Sequence, residues 1–293
     1  MMKNNRTKLL VSFSGGETSA YMSKWLIENK SDHYEMVFVF ANTGEEAEET
    51  LQFVDQCDKT WDLNMVWVEA LVNYEKNKGT RHKIVDFNTA SRKGEPFEDV
   101  IKKYGLPNTN YPHCNREMKL APIHSYIKSI GWKDYETAIG IRADEFDRMS
   151  ENQKQFKLIY PLIKDHPMTK QKINFWWSKQ SFRLNLKSYQ SNCKTCWKKS
   201  FRNLMHIAKE NPEWFDFFKR MESKYAHIKI DGHNANQSYF FRGQKTVGDI
   251  FEMANNWNGK AHDNNADVNY QIDLFDLIDE MESCDIFSNC GDV

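Results

Sequence analysis

Ser14-Gly15-Gly16-Glu17-Thr18-Ser19 follows an apolar stretch (Leu9, Leu10, Val11, Phe13) and leads into a helical pattern. Two consecutive glycines let the backbone turn sharply and approach a ligand closely. The first amides of the following helix then face that ligand, with the positive end of the helix dipole behind them. The guest such a loop suits is a phosphate or pyrophosphate. The same residues also suit a plain strand-to-helix turn with Ser14 as the cap. There is no G-x-x-x-x-G-K-[ST] for a Walker-type ATPase and no G-x-G-x-x-G for a dinucleotide.

Thiols are the second chemistry-bearing set. Cys193-Lys194-Thr195-Cys196 is a C-x-x-C that by itself suits redox chemistry, zinc or a structural role, and Cys114 precedes it by 79 positions. Cys57 shares a helical face with Phe53 and Val54 and is expected in the core.

The elements that must position these groups read as an alternation over the first 145 residues. Strands are expected at 8–13, 36–41, 65–70 and 135–141, and helices at 17–30, 45–57, 95–104 and 115–129. That order predicts an α/β fold with a doubly wound parallel sheet, in which ligands bind beyond the carboxyl ends of the strands where the strand order reverses. Ser14-Gly15-Gly16 and Asn42-Thr43-Gly44 both fall at such ends. A mainly helical region is expected to follow.

Composition fits an intracellular enzyme. The 293 residues are 40% hydrophobic and 28% charged, with mean hydropathy −0.75 and net charge −1. No apolar run reaches the roughly 18 residues of a membrane span, and Met1 to Lys8 lacks a secretion signal's apolar segment, so the cytoplasm is expected. The near-zero charge hides an asymmetry. Ten basic residues and one acid lie between Lys164 and Arg202, interleaved with Phe175, Trp176, Trp177, Phe182, Tyr189 and Trp197, whereas 261–293 hold nine acids and no Lys or Arg. Three segments follow: 1–160 as the nucleotide-binding α/β domain, 161–260 as a basic, aromatic, mainly helical region with the C-x-x-C, and 261–293 as an acidic tail.

Four segments in order carry a resemblance. Ser14 to Ser19 resembles the SGGxxS loop of the PP-loop ATP pyrophosphatases. Asn42-Thr43-Gly44 with Glu49-Thr50 resembles the second-strand motif of the phosphoadenosine phosphosulfate (PAPS) reductase family, within the adenine nucleotide alpha hydrolase-like fold. Cys114-x-Arg116-x-x-Lys119-x-x-Pro122 resembles its C-x-R-x-x-K-x-x-P segment, and Gly140-x-Arg142-x-Asp144-Glu145 its G-x-R-x-x-E/D segment.

The resemblance implies ATP or another adenine nucleotide on the sheet. Ser14, Gly15, Gly16, Thr18 and Ser19 would hold its phosphates, and Asn42, Thr43 and Gly44 would contact the nucleotide. Lys119, Arg142 and Arg116 would neutralise charge during phosphoryl or nucleotidyl transfer, and Asp144 with Glu145 would hold Mg2+ or orient the arginines. Cys114, Cys193 and Cys196 resemble the ligand set of iron–sulfur-dependent thiolation enzymes and of the ATP-pyrophosphatase subunit of DNA phosphorothioation systems, implying a 4Fe–4S cluster with one open iron. Zinc, completed by His113 or His124, is the alternative.

Three functions compete. An adenylating sulfurtransferase would release pyrophosphate and insert sulfur into nucleic acid or a nucleotide, with DNA or tRNA bound through 164–202 and a sulfur donor protein as a further partner. A sulfonucleotide reductase would attack with Cys290, which precedes Gly291 but lacks that family's flanking Glu and His. A nucleotide-binding regulatory module would bind without turnover.

Overall fold

The computed structural model describes residues 6–75, 78–109, 111–190, 193–228, 239–261, 263 and 265. Its centre is a six-stranded sheet of β1 (Thr7–Phe13), β2 (Tyr34–Asn42), β3 (Val66–Leu71), β4 (Arg81–Val85), β5 (Glu136–Ala138) and β6 (Leu158–Ile159), in the order β4-β3-β2-β1-β5-β6. Every neighbouring pair is parallel except β3–β4, which is antiparallel. Because β1 lies between β2 and β5, successive crossovers leave it in opposite directions. The strand order therefore reverses at β1, where the fold leaves a crevice at the carboxyl ends.

Strand β1 is apolar at consecutive positions because helices cover both faces of the sheet. Leu9, Val11 and Phe13 enter a core with α1 (Glu17–Lys30) and α2 (Glu48–Trp61), while Leu10 turns to the opposite face with Val39, Val68, Ile123 and Ile127. A third core joins α3 (Glu95–Tyr104) to the helices that follow the sheet. Helix α1 and α3 coincide with their expected spans. The expected helix at 45–57 starts later, at Glu48, because residues 43–46 are drawn into a hydrogen-bonded loop. The expected helix at 115–129 is three pieces: α4 (His113–Asn115), a π turn at Arg116–Leu120, and α5 (Ala121–Ser129). The expected strand at 135–141 shortens to β5. Both β4 and β6 went unforeseen, β4 being a polar edge strand and β6 only two residues long.

Beyond the sheet lie α6 (Pro161–Lys164), α7 (Lys170–Trp177), α8 (Phe201–Glu210), α9 (Asp216–Tyr225) and α10 (Val247–Asn255). Both larger cores cross position 160: Ile173, Trp177 and Leu184 pack with the β1 core, and Trp197, Phe218 and Ile250 pack with α3. No described helix is long and apolar enough to cross a membrane.

Glu222 on α9 ties the last helices together. Its carboxylate accepts the Val247 N–H at 2.9 Å and the Phe240 N–H at 3.3 Å. Burial pushes its carboxyl up to about 7, against the opposing effect of those two donors. A carboxyl whose folded pKa lies above its unfolded value keeps its proton longer in the native state, so stability falls as pH rises from about 4.5 through 7. Glu222→Gln, which keeps an accepting oxygen, is expected to flatten that fall, read from thermal melts of both proteins across pH 5–8.

Candidate functional site

The phosphate loop is assembled by close approach. Gly15 sits at φ +86°, and a Cβ there would stand 2.7 Å from Thr50 Cγ2 on α2. On the other side, a Cβ on Gly140, just beyond β5, would stand 3.0 Å from Ser19 Cα. The N-cap of α1 is Gly16, with no capping side chain, so the first-turn amides remain available to an anion. Ser14 is thus not the cap. Its own N–H donates to Ser19 Oγ at 3.1 Å, the two hydroxyls lie 3.0 Å apart, and Ser19 Oγ donates to the Gly16 carbonyl at 2.9 Å. Thr18 is half-buried one turn into the helix.

The loop after β2 is rigid for a reason the motif did not disclose. Asn42 is fully buried; its Nδ2 donates to Glu69 at 2.7 Å and to the Ser91 carbonyl at 2.9 Å, and its Oδ1 accepts from Gly44 N–H at 3.2 Å. Asn42 therefore shapes the loop from beneath. Thr43 donates its N–H to Glu46 at 2.9 Å and its hydroxyl to the same carboxylate at 2.8 Å. That is half of a capping box, and the Thr-x-x-Glu spacing was its sequence signal. Gly44, at φ +81°, passes the Gly94 backbone, where a Cβ would stand 2.9 Å from Cα.

Arg142 and Asp144 share the loop after β5. Arg142 Nε donates to Asp144 at 3.1 Å, Glu145 lies 3.4 Å from the same guanidinium, and Arg148 closes on Glu145 from the other side. Burial alone would raise the Glu145 carboxyl, but Arg142 and Arg148 hold it below the usual range. Asp144 also accepts the Lys170 N–H at 3.1 Å. These acids are thus engaged in orienting arginines and α7. Among the described residues no group of three or more His, Cys, Asp or Glu is arranged to hold a metal ion. Arg116 is largely exposed and pairs with its neighbour Glu117 at 2.8 Å.

Lys119 lies elsewhere, in the wall of a cavity of about 30 Å3 that it shares with Thr43, Cys114, Cys193 and Cys196. The π turn serves this placement: Cys114, Asn115, Met118 and Lys119 all line the cavity, and in an unbroken α-helix they would spread over an arc of about 140°. A wider turn narrows that arc, and π turns recur at functional sites for this reason. Trp197 Nε1 donates to Cys114 Sγ at 3.5 Å, and Thr43 Oγ1 lies 3.6 Å from Cys193 Sγ. Glu46 and Cys193 form a β-bridge, which fixes the C-x-x-C against the loop after β2.

The three thiols therefore meet, although they come from segments 79 positions apart in sequence. Burial, with Glu46 beside it, pushes the Cys193 thiol up to about 12, and burial pulls the Lys199 ammonium down to about 8. Soft thiols in apolar walls suit iron–sulfur or zinc in kind. The present cavity has room for little more than two waters, so either occupant needs the walls to part. Neither His113 nor His124 lines it.

The basic, aromatic stretch is largely structural. Trp177 is buried and donates its Nε1–H to the Glu17 carbonyl at 3.1 Å, and Arg183 grips the Glu17 carboxylate through two bonds of 2.8 and 2.9 Å. The start of α1 is thus held from α7 and the segment behind it, a contact that no motif signalled. Lys187 pairs with Glu210, and Lys199 donates to the Tyr189 carbonyl. Of the acidic tail, Asp263 accepts the Ser188 N–H at 2.9 Å, and the Asn265 carbonyl accepts from Arg183 at 2.7 Å. Cys290 and the rest of the tail lie outside the described residues.

Comparison with known proteins agrees with this geometry. Residues 8–170 match the phosphoadenosine phosphosulfate reductase domain. An uncharacterized nin region protein of Escherichia phage lambda is 31% identical over 95% of this chain and 94% of its own length. Two uncharacterized proteins of Methanocaldococcus jannaschii are 30% and 26% identical over 44% and 52% of this chain, which spans about a quarter of each. With its phosphate loop at the switch point of a mostly parallel sheet, the chain belongs to the phosphoadenosine phosphosulfate reductase domain family.

Proposed function

We propose that this PP-loop enzyme uses ATP to adenylate an oxygen on a nucleotide or nucleic-acid acceptor, releases pyrophosphate, and replaces AMP with sulfur. One observation carries the reading: Thr43, in the loop that would contact the nucleotide, also lies 3.6 Å from Cys193, so the nucleotide loop and the thiol cavity share a wall. The amides of α1 and the hydroxyls of Ser14, Thr18 and Ser19 would hold the departing pyrophosphate. Lys119 faces the cavity and would offset charge between nucleotide and thiols, while Arg142, aligned by Asp144, would meet phosphate from the β5 side. Adenylation turns a poor leaving group into AMP, and the attacking sulfur takes its place. A 4Fe–4S cluster on Cys114, Cys193 and Cys196 would supply an iron open to sulfide. Exposed Phe175, with the Lys179 ammonium 3.9 Å above its ring, is the part of the basic stretch left for an unpaired base.

Two outcomes are expected. Anaerobically purified protein should carry about four irons with matching sulfide, lost with its visible absorbance in Cys193→Ser; one zinc and no iron would end the sulfur-transfer reading. Gly15→Ala, strained at positive φ and against Thr50, should weaken ATP binding about tenfold or more and remove pyrophosphate release. Sulfite release from a sulfonucleotide, with no pyrophosphate from ATP, would instead identify a reductase. Nucleotide binding with no product would identify a regulatory module.

A further inference from the structure

A cleft of about 740 Å3 opens between the start of α2 and α9, and no residue of the phosphate loop or of the cysteine set lines it. Glu45 lies at its floor with only 2% of its surface exposed. Its backbone is pinned: its N–H donates to Thr43 Oγ1 at 3.3 Å, and its carbonyl accepts the Lys194 N–H at 2.9 Å. Its carboxyl meets no hydrogen-bond donor among the described residues, and Lys194 and Arg220 act on it only through space. A buried carboxyl without a partner is costly to keep. Burial pushes it up to about 8, the cost expressed as proton affinity.

The rest of the cleft is complementary to something specific. Lys93, Lys194 and Arg220 line it, and none has a carboxylate within ion-pair distance among the described residues. Phe217 lies under the Arg220 guanidinium at 5.7 Å, which leaves half-buried Trp214 as the flat apolar face. Three cations suit phosphate, an indole suits a stacked base, and a buried carboxyl suits the N–H of a base edge. A zwitterionic amino acid would match the charges but leave Trp214 unused.

We propose that this cleft is a second nucleotide site, taking a phosphorylated nucleoside whose base carries an exocyclic amino group, with the base on Trp214, its amino group at Glu45 and its phosphate among Lys93, Lys194 and Arg220. It deepens the function proposed above in one respect, by making this nucleotide the acceptor.

Binding of labelled oligo(dC) and oligo(dT) to the full chain, with cytidine and uridine 5′-monophosphate as competitors, tests it without reference to turnover. Oligo(dC) should bind about tenfold tighter than oligo(dT), since thymine lacks the amino group. Glu45→Met should erase that preference with an equal or higher melting temperature, because it removes an unpaired buried carboxyl. Lys194→Ala should weaken both strands alike. Competition by cytidine monophosphate matching that of oligo(dC) marks a free nucleotide as the ligand; competition by the oligonucleotide alone marks a strand. Equal affinity for the two strands, a preference that survives Glu45→Met, or displacement by ATP each overturns the proposal, the last by making the cleft the base pocket of ATP. Selective binding here with no pyrophosphate release from ATP would sink the adenylation reading and leave the second site standing.

Discussion

The phosphate loop exists because two side chains are missing. Gly15 is pressed by α2 and Gly140 presses on α1, so the turn between β1 and α1 is clamped where the sheet reverses its strand order. Any Cβ at Gly15 would stand closer to Thr50 than real Cβ contacts do, and the loop would lift from the sheet. With the clamp in place, the uncapped amides of α1 converge beside the loops after β2 and β5. Those loops carry Thr43 on one side and Arg142 on the other. The crevice is therefore set by backbone packing, with side chains completing it.

Charge is organised around that clamp. Glu17 opens α1 with a carboxylate where the helix dipole favours one, and Arg183 covers it from the following region. Arg183 is about one-third exposed, so its pairing adds alignment more than stability. The same guanidinium holds the Asn265 carbonyl, and Lys170 reaches Asn265 Oδ1 at 2.7 Å. The beginning of the acidic segment is thus fastened beside the phosphate loop by the basic stretch, which explains much of the sequence's charge asymmetry without an external polyanion.

What the sequence disclosed followed local rules. Apolar runs and glycine turns located β1, β2, β3, α1 and α3, and motif spacing brought Cys114 to Cys193 and Cys196. What it withheld depends on partners far along the chain. Edge strand β4 has no period-2 apolar pattern because only β3 supports it. The π turn at Arg116–Leu120 leaves no compositional mark, being one residue accommodated inside a helical run. Arg183 looked like one of ten surface charges, and only the fold sets it on Glu17. Glu45 stood inside a motif and was passed over, since its missing partner is visible only in three dimensions. Asn42 drew attention as a ligand contact, and burial shows it serving the loop instead.

The edges of the sheet close the architecture to growth. A strand can template another chain only if it presents a long, flat row of unpaired amides and carbonyls. Here β6 offers two residues, and β4, running against its neighbour, carries Arg81, His82 and Lys83 in succession. Neither edge suits β-augmentation. A partner protein must dock through side chains on the helical layers or the strand ends, and a partly unfolded copy finds no ready seam along which to aggregate.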